Sequence, residues 1–191
     1  RRRCIGIEIN NSYIKIYKKV CKLEKIEEQR IISGDSNKVL IDLKNEDIKV
    51  DFILTDVPYW NMDKVDRSKG KFKKVGEKQK ERRKTILKAF IGIKYPDKAD
   101  WLNSLKKIFE KATLLLKKNC YLAVFIGDMY NNKKYHFLSA DLAILLKECN
   151  LTMKANLVWY DVSKSLHVYG YLYQFIPSMI HQNILIFRKE F

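Results

Sequence analysis

The sequence predicts an α/β fold in a single domain, and three observations predict it. Short apolar runs alternate along the chain with stretches of helical periodicity, the pattern left by strands and helices laid down in turn. The run "CYLAVFIGD" (120–128) is apolar without alternation, as a parallel strand covered on both faces must be. A length of 191 residues suits one ordinary domain, spanning 1–191, and is enough to bury a core.

Each element has its own signal. "CIGIEI" (4–9) reads as a short strand ending at Glu8. In "NSYIKIYKKVCKLEKI" (11–26), Tyr13, Ile16, Tyr17, Val20 and Leu23 fall at helical spacing, and Asn11 or Ser12 is available as the N-cap. "RIISGD" (30–35) and "VDFILTD" (50–56) read as strands ending at Asp35 and Asp56. "ADWLNSLKKIFEKATLLLKK" (99–118) carries Trp101, Leu105, Ile108, Phe109, Ala112 and Leu115 on one helical stripe. After the apolar strand come a loop "MYNNKKYH" (129–136), a helix "LSADLAILLKEC" (138–149), a strand "LTMKANLVWYD" (151–161) and a closing strand "NILIFRKE" (183–190).

Charge narrows the partners. With 38 Lys+Arg against 22 Asp+Glu the net charge is +16, which favours a polyanion, either nucleic acid or an anionic membrane surface. A lysine-rich surface with no such role is the plain alternative. Hydrophobic residues at 47% exclude a disordered composition. No apolar run approaches the ~18 residues of a spanning helix, and no signal peptide is visible, so a cytoplasmic protein is expected. Cys4, Cys21, Cys120 and Cys149 lie far apart, without CxxC spacing or nearby His. Buried free thiols in a reducing compartment are expected, and no metal site.

The segment 61–88 holds twelve Lys or Arg and four acids. A loop of that length inside one domain is functional or simply solvated. As a functional loop within 61–95 it would contact phosphates, with Lys73, Lys74, Arg82 and Arg83 as candidates. Between 163 and 183, His167, Tyr169, Tyr171, Tyr173, Phe175 and His181 interleave rings with polar residues. They either contact a base or backbone, or pack their rings on a sheet edge.

Three successive strands end in acids, Glu8, Asp35 and Asp56, and ligands of open α/β sheets bind at the carboxyl ends of strands. A carboxylate there can accept from a ribose diol, a role that suits Glu8, while Asp35 could accept from an exocyclic amine of a purine. Any one of the three could equally be a turn former or a helix cap. Asp56 is followed by Val57, Pro58, Tyr59 and Trp60. An Asp beside a Pro-fixed turn can hold an exocyclic amino group and later take its proton. A backbone carbonyl beside Pro58 can accept a second hydrogen bond, and together the two acceptors make the amine nucleophilic. Tyr59 would stack on the flat base and Trp60 could wall the pocket, the base having left its helix at a cost of a few kcal/mol. Asp128, at the end of the apolar strand, either faces this pocket or caps the following loop.

These residues resemble a known family. "TDVPYW" is similar to the DPPY-type catalytic tetrapeptide of the amino-group DNA methyltransferases, the N6-adenine and N4-cytosine enzymes that use S-adenosylmethionine. "RRRCIGIEINNSYIKIYKK" resembles the family's acidic second-strand motif, "IISGDSNKVL" its adenine-binding segment, "YLAVFIGDMY" its fifth strand and "IHQNILIFRKE" its closing "H-E-hydrophobic-F-K" strand. The resemblance implies a doubly wound, Rossmann-like sheet, mostly parallel with an antiparallel closing strand. It implies S-adenosylmethionine as cofactor, held by Glu8 and Ile9, Asp35 and Ser36, and Asp56. It implies Asp56, Pro58 and Tyr59 as catalytic residues and double-stranded DNA as partner, for which the corner and the charge and ring patterns offer Trp60, Lys73, Lys74, Arg82, Arg83, His167 and Tyr169 as contacts. Adenine N6 is favoured over cytosine N4 on Asp rather than Ser at position 56.

The sequence departs from the family at two places. Val57 stands where a second Pro is usual. The family's Phe-x-Gly-x-Gly motif would lie just ahead of Arg1 and has no counterpart here, so the expected sheet lacks its first strand and glycine loop. A non-catalytic nucleic-acid-binding subunit is therefore the rival from another class, and structured RNA the rival substrate. A homodimer or a companion subunit is compatible with either.

Overall fold

Helix α1 (Asn11–Leu23) links strand β1 (Ile5–Glu8) to strand β2 (Arg30–Ser33), and the two strands pair in parallel, Glu8 opposite Ser33, in the computed structural model. It describes residues 2–60, 95–131, 133–163 and 179–190. The α1 N-cap is Asn10, whose side chain accepts from Ser12 N at 2.9 Å, one residue ahead of the two candidates. Asn10 is itself tied by its N–H to Glu8 Oε1 at 2.6 Å.

Helix α2 (Ser36–Asn45) buries Val39, Leu40 and Leu43 and leads to strand β3 (Val50–Asp56). The sequence did not announce this helix. Its buried stripe is only three residues wide, and Ile41, 44% exposed, blurs the periodicity. Helix α3 (Lys98–Leu115) buries Trp101, Leu105, Phe109, Ala112 and Leu115, and strand β4 (Leu116–Ile126) follows with no intervening loop. Leu122, Ala123 and Val124 are buried in succession, as a strand covered on both faces requires. The segment expected as a loop is a small hairpin, β5 (Met129–Asn131) and β6 (Lys134–His136), turning at Lys133 with φ 60°. Three-residue strands are too short to show alternation. Helix α4 (Leu138–Lys147), strand β7 (Thr152–Tyr160) and strand β8 (His181–Arg188) complete the chain order.

β3 pairs in parallel with β4, β4 in antiparallel with β8, and β8 in antiparallel with β7. β8 is thus the antiparallel strand expected near the chain's end. Two apolar clusters hold these layers together. In one, α3 and α4 pack Trp101, Leu105, Leu138, Leu142 and Leu146 on Leu122, Ile126, Leu185 and Phe187. In the other, α2 and α3 bring Val39, Leu40, Leu43, Ala112 and Leu115 against Ile5, Ile7 and Ile32 of the β1–β2 pair and Val50 and Ile53 of β3. β1 and β3 therefore lie on one helical layer, yet no ladder joins them among the described residues.

All four cysteines are free; Cys21 and Cys149 are buried, but Cys4 is exposed and Cys120 only partly covered. The expectation that all are buried fails at Cys4, which precedes β1 and has no layer over it. No helix among the described residues is long and apolar enough to cross a membrane. Lys73, Lys74, Arg82, Arg83, His167 and Tyr169 lie outside the described residues.

Candidate active site

The parallel register puts Asp56 opposite Phe125, so the corner after β3 and the residues ending β4 reach the same edge of the sheet. Val57 anchors that corner, 4% exposed and packed in the α3–α4 core. An apolar side chain here serves as a peg, which accounts physically for a residue other than Pro. Pro58 keeps its ring outside, and its carbonyl accepts from the indole Nε1 of Trp101 at 2.7 Å. Trp101 is completely buried, so the corner is fixed from below by a hydrogen bond whose donor is shielded from water.

Tyr59 crosses from the corner to β4. Its Oη accepts from the backbone N–H of Gly127 at 2.9 Å and from the side-chain amide of Gln182 at the start of β8. A Cβ on Gly127 would stand 3.1 Å from Cε1 and Oη of Tyr59, tighter than ordinary contact. Burial, and then the nearby Asp56 charge, raise the Tyr59 pKa above the usual phenol value. Trp60 packs against the main core and meets His136 edge-on, ring centroids 5.0 Å apart at 76°. Its buried Nε1 has no partner among the described residues.

Asp56 is exposed as a residue, and its carboxylate makes no hydrogen bond or ion pair with a described residue. Partial desolvation nonetheless raises its pKa above the ordinary carboxylate value. A carboxylate with unused acceptors and a raised pKa is chemically suited to receive a proton. Asp128, by contrast, is engaged: Oδ1 accepts from Ser139 N at 2.9 Å, within the first turn of α4, and Oδ2 from Tyr135 Oη at 3.1 Å. Its carboxylate thus joins the hairpin to the start of α4, while its charge, after burial and the Asp56 charge, also helps to raise the Tyr59 pKa.

The backbone just before Asp35 lies against Glu8, Gly34 N donating to Glu8 O at 3.1 Å. Asp35 caps α2, Oδ1 accepting from Asn37 N at 2.8 Å, and Ser36 is the first residue of that helix. Each carboxylate has one oxygen engaged locally, Glu8 Oε1 by Asn10 and Asp35 Oδ1 by Asn37. The second oxygens, Oε2 and Oδ2, take no bond from a described residue. Ile9 beside them is 65% exposed, an apolar surface next to two acceptors. This set of acceptors fits a nucleoside: a diol or amine for the carboxylates and a flat ring for the isoleucine.

Sequence reasoning missed Trp101 and Gln182 as parts of this corner. Trp101 read as one member of a core stripe, and nothing local marks the partner of its N–H. Gln182 meets Tyr59 across 123 residues of chain, a separation no local pattern reports.

No protein-family model and no curated protein matches the sequence. Solved structures do match the fold. A protein from Thermus thermophilus assigned as a DNA modification methylase superposes with a TM-score of 0.50 at 17% identity, over 83% of this chain and 51% of that one. A fibrillarin pre-rRNA processing protein from Methanococcus jannaschii gives 0.52 at 14% identity, over 98% and 56%. A SAM-dependent methyltransferase from Methanosarcina mazei gives 0.50 at 12%, over 97% and 81%. The chain shares the Rossmann-like α/β fold of these structures. This chain spans about half the length of the Thermus protein, and at these identities the likeness is one of fold alone.

Proposed function

We propose that the protein is an S-adenosylmethionine-dependent methyltransferase acting on the exocyclic amino group of a flipped base in double-stranded DNA, with adenine N6 favoured over cytosine N4. The observation that carries this reading is Asp56. It is a carboxylate of raised pKa at the end of β3, without a partner among the described residues, beside a Tyr59 ring held against Gly127. The family resemblance and the shared fold support it from outside the site.

In the proposed site Glu8 and Asp35 would hold the ribose and adenine of the cofactor, with Ile9, Ser36 and Asp56 alongside. Bound there, the cofactor supplies an electrophilic methyl group. Asp56 would accept a hydrogen bond from the target amine, orient its lone pair and take the proton released as the new N–C bond replaces the cofactor's sulfur–methyl bond, leaving a neutral thioether. The Pro58 carbonyl is already engaged by Trp101, so the second acceptor for the amine is the carbonyl of Val57, on the other side of the proline. Tyr59 supports the face of the base, and unstacking is offset in part by that contact. Lys73, Lys74, Arg82 and Arg83 contact the DNA phosphates in this reading, so binding weakens steeply with salt.

Calorimetric titration with S-adenosylmethionine, followed by transfer of a labelled methyl group to duplex DNA, tests the proposal. Wild type is expected to bind and transfer, Glu8→Ala to lose cofactor affinity, and Asp56→Ala to keep DNA binding while losing transfer. Retained turnover in Asp56→Ala removes that carboxylate from the mechanism. DNA binding without cofactor binding would favour the non-catalytic subunit.

A further inference from the structure

We infer that Gln182 is a positioning residue for Tyr59, fixing the aromatic face of the site before a base arrives; this rests on the methyltransferase reading above. Three segments meet on one phenolic oxygen. Tyr59 leaves the corner after β3, Gly127 follows β4, and Gln182 opens β8. The Gly127 N–H donates to Oη at 2.9 Å and the Gln182 amide donates to it as well.

One hydrogen bond at the phenolic oxygen limits how far the ring can swing about its Cα–Cβ bond. A second, from a separate segment, limits it further. Gly127 sets the height of the ring, because its missing Cβ lets Cε1 and Oη approach to where a Cβ would stand 3.1 Å away. Gln182 sets its lateral position. The strand that carries Gln182 is itself fixed, since Ile126 pairs with Asn183 and Asn183 is buried and bonded by Asn156 at 3.0 Å. β8 thereby acts on the site through the Gln182 side chain and the Tyr59 ring it holds. Such preorganisation lowers the ordering required when the substrate binds.

The test pairs a spectroscopic signal with turnover. Gly127 is one of seven glycines, so its amide resonance is accessible by glycine-selective 15N labelling and assigned by its loss in Gly127→Ala. Gln182→Met keeps the length of the side chain and removes its hydrogen bond. It is expected to shift the Gly127 resonance through the displaced Tyr59 ring and to lower kcat for methyl transfer by about five- to tenfold. Gln182→Glu, which can accept from the Tyr59 hydroxyl, is expected to keep the resonance near its wild-type position and recover most of the rate. In a Tyr59→Phe background, Gln182→Met should cost less than about a further twofold, the coupling expected of groups that act as a unit. An unmoved Gly127 resonance in Gln182→Met, or losses that simply multiply in the double variant, would overturn the inference. Wild type that transfers no methyl group overturns the methyltransferase reading instead, and the Gly127 resonance then still reports whether Gln182 holds Tyr59.

Discussion

Tyr59 Oη accepts the backbone N–H of Gly127 at 2.9 Å, and the Tyr59 ring occupies the space where a side chain on Gly127 would begin. The two residues belong to different strand ends and fit only because position 127 has no Cβ.

Gly127→Ala is the direct probe of that fit. The added methyl would lie 3.1 Å from Cε1 and Oη, so the ring must retreat by a few tenths of an ångström. The variant should fold, with a stability loss of about 1 kcal/mol, while methyl transfer falls at least severalfold. Thermal melts beside single-turnover rates check it, and an unchanged rate would mean that Tyr59's position is not limiting.

Asp56 gives a pH prediction with a definite sign. Its folded-state pKa is raised by desolvation, so the proton is retained to a higher pH than in an ordinary Asp at about 3.9. Transfer that needs the carboxylate should therefore fall, on acidification, at a pH above that value. The same shift means the charged form is disfavoured in the fold. That penalty is absent well below the unfolded pKa and develops as pH rises through the folded pKa. Asp56→Asn should lose transfer yet melt at or above the wild-type temperature at pH 7. A clear drop in melting temperature would show that the carboxylate stabilises the fold.

Trp101→Phe removes the bond to the Pro58 carbonyl from a wholly buried position. The lost hydrogen bond and the small void together should cost about 1–3 kcal/mol. Denaturant unfolding measures the loss. If the corner depends on this bond, transfer falls further than stability alone explains.

The cysteines should separate by reactivity. Cys149 is buried, and burial first, then the nearby Glu110 charge, push its pKa up to about 11, so little thiolate exists at pH 8. Cys4, exposed, should react with a thiol reagent at once, and Cys149 only with unfolding. Mass mapping of labelled peptides over time distinguishes them.

The chain order of most strands and helices was legible in the sequence because their signals are local. The α3 stripe from Trp101 to Leu115 and the apolar run of β4 are consequences of one element facing one core; Glu8 and Asp56 do end their strands, whereas Asp35, expected to end β2, lies two residues beyond it as the N-cap of α2. The α2 helix and the β5–β6 hairpin were not legible, the first because Ile41 breaks its narrow stripe and the second because three residues cannot alternate. Pairing belongs to tertiary structure alone. That the Trp101 N–H finds the Pro58 carbonyl, that Asp128 serves α4, and that Gln182 reaches Tyr59 depend on strand order and register. The sequence determined which residues carry acceptors and rings; only the packed sheet decided which acceptors are already engaged, because a hydrogen bond depends on distances in space between segments far apart along the chain.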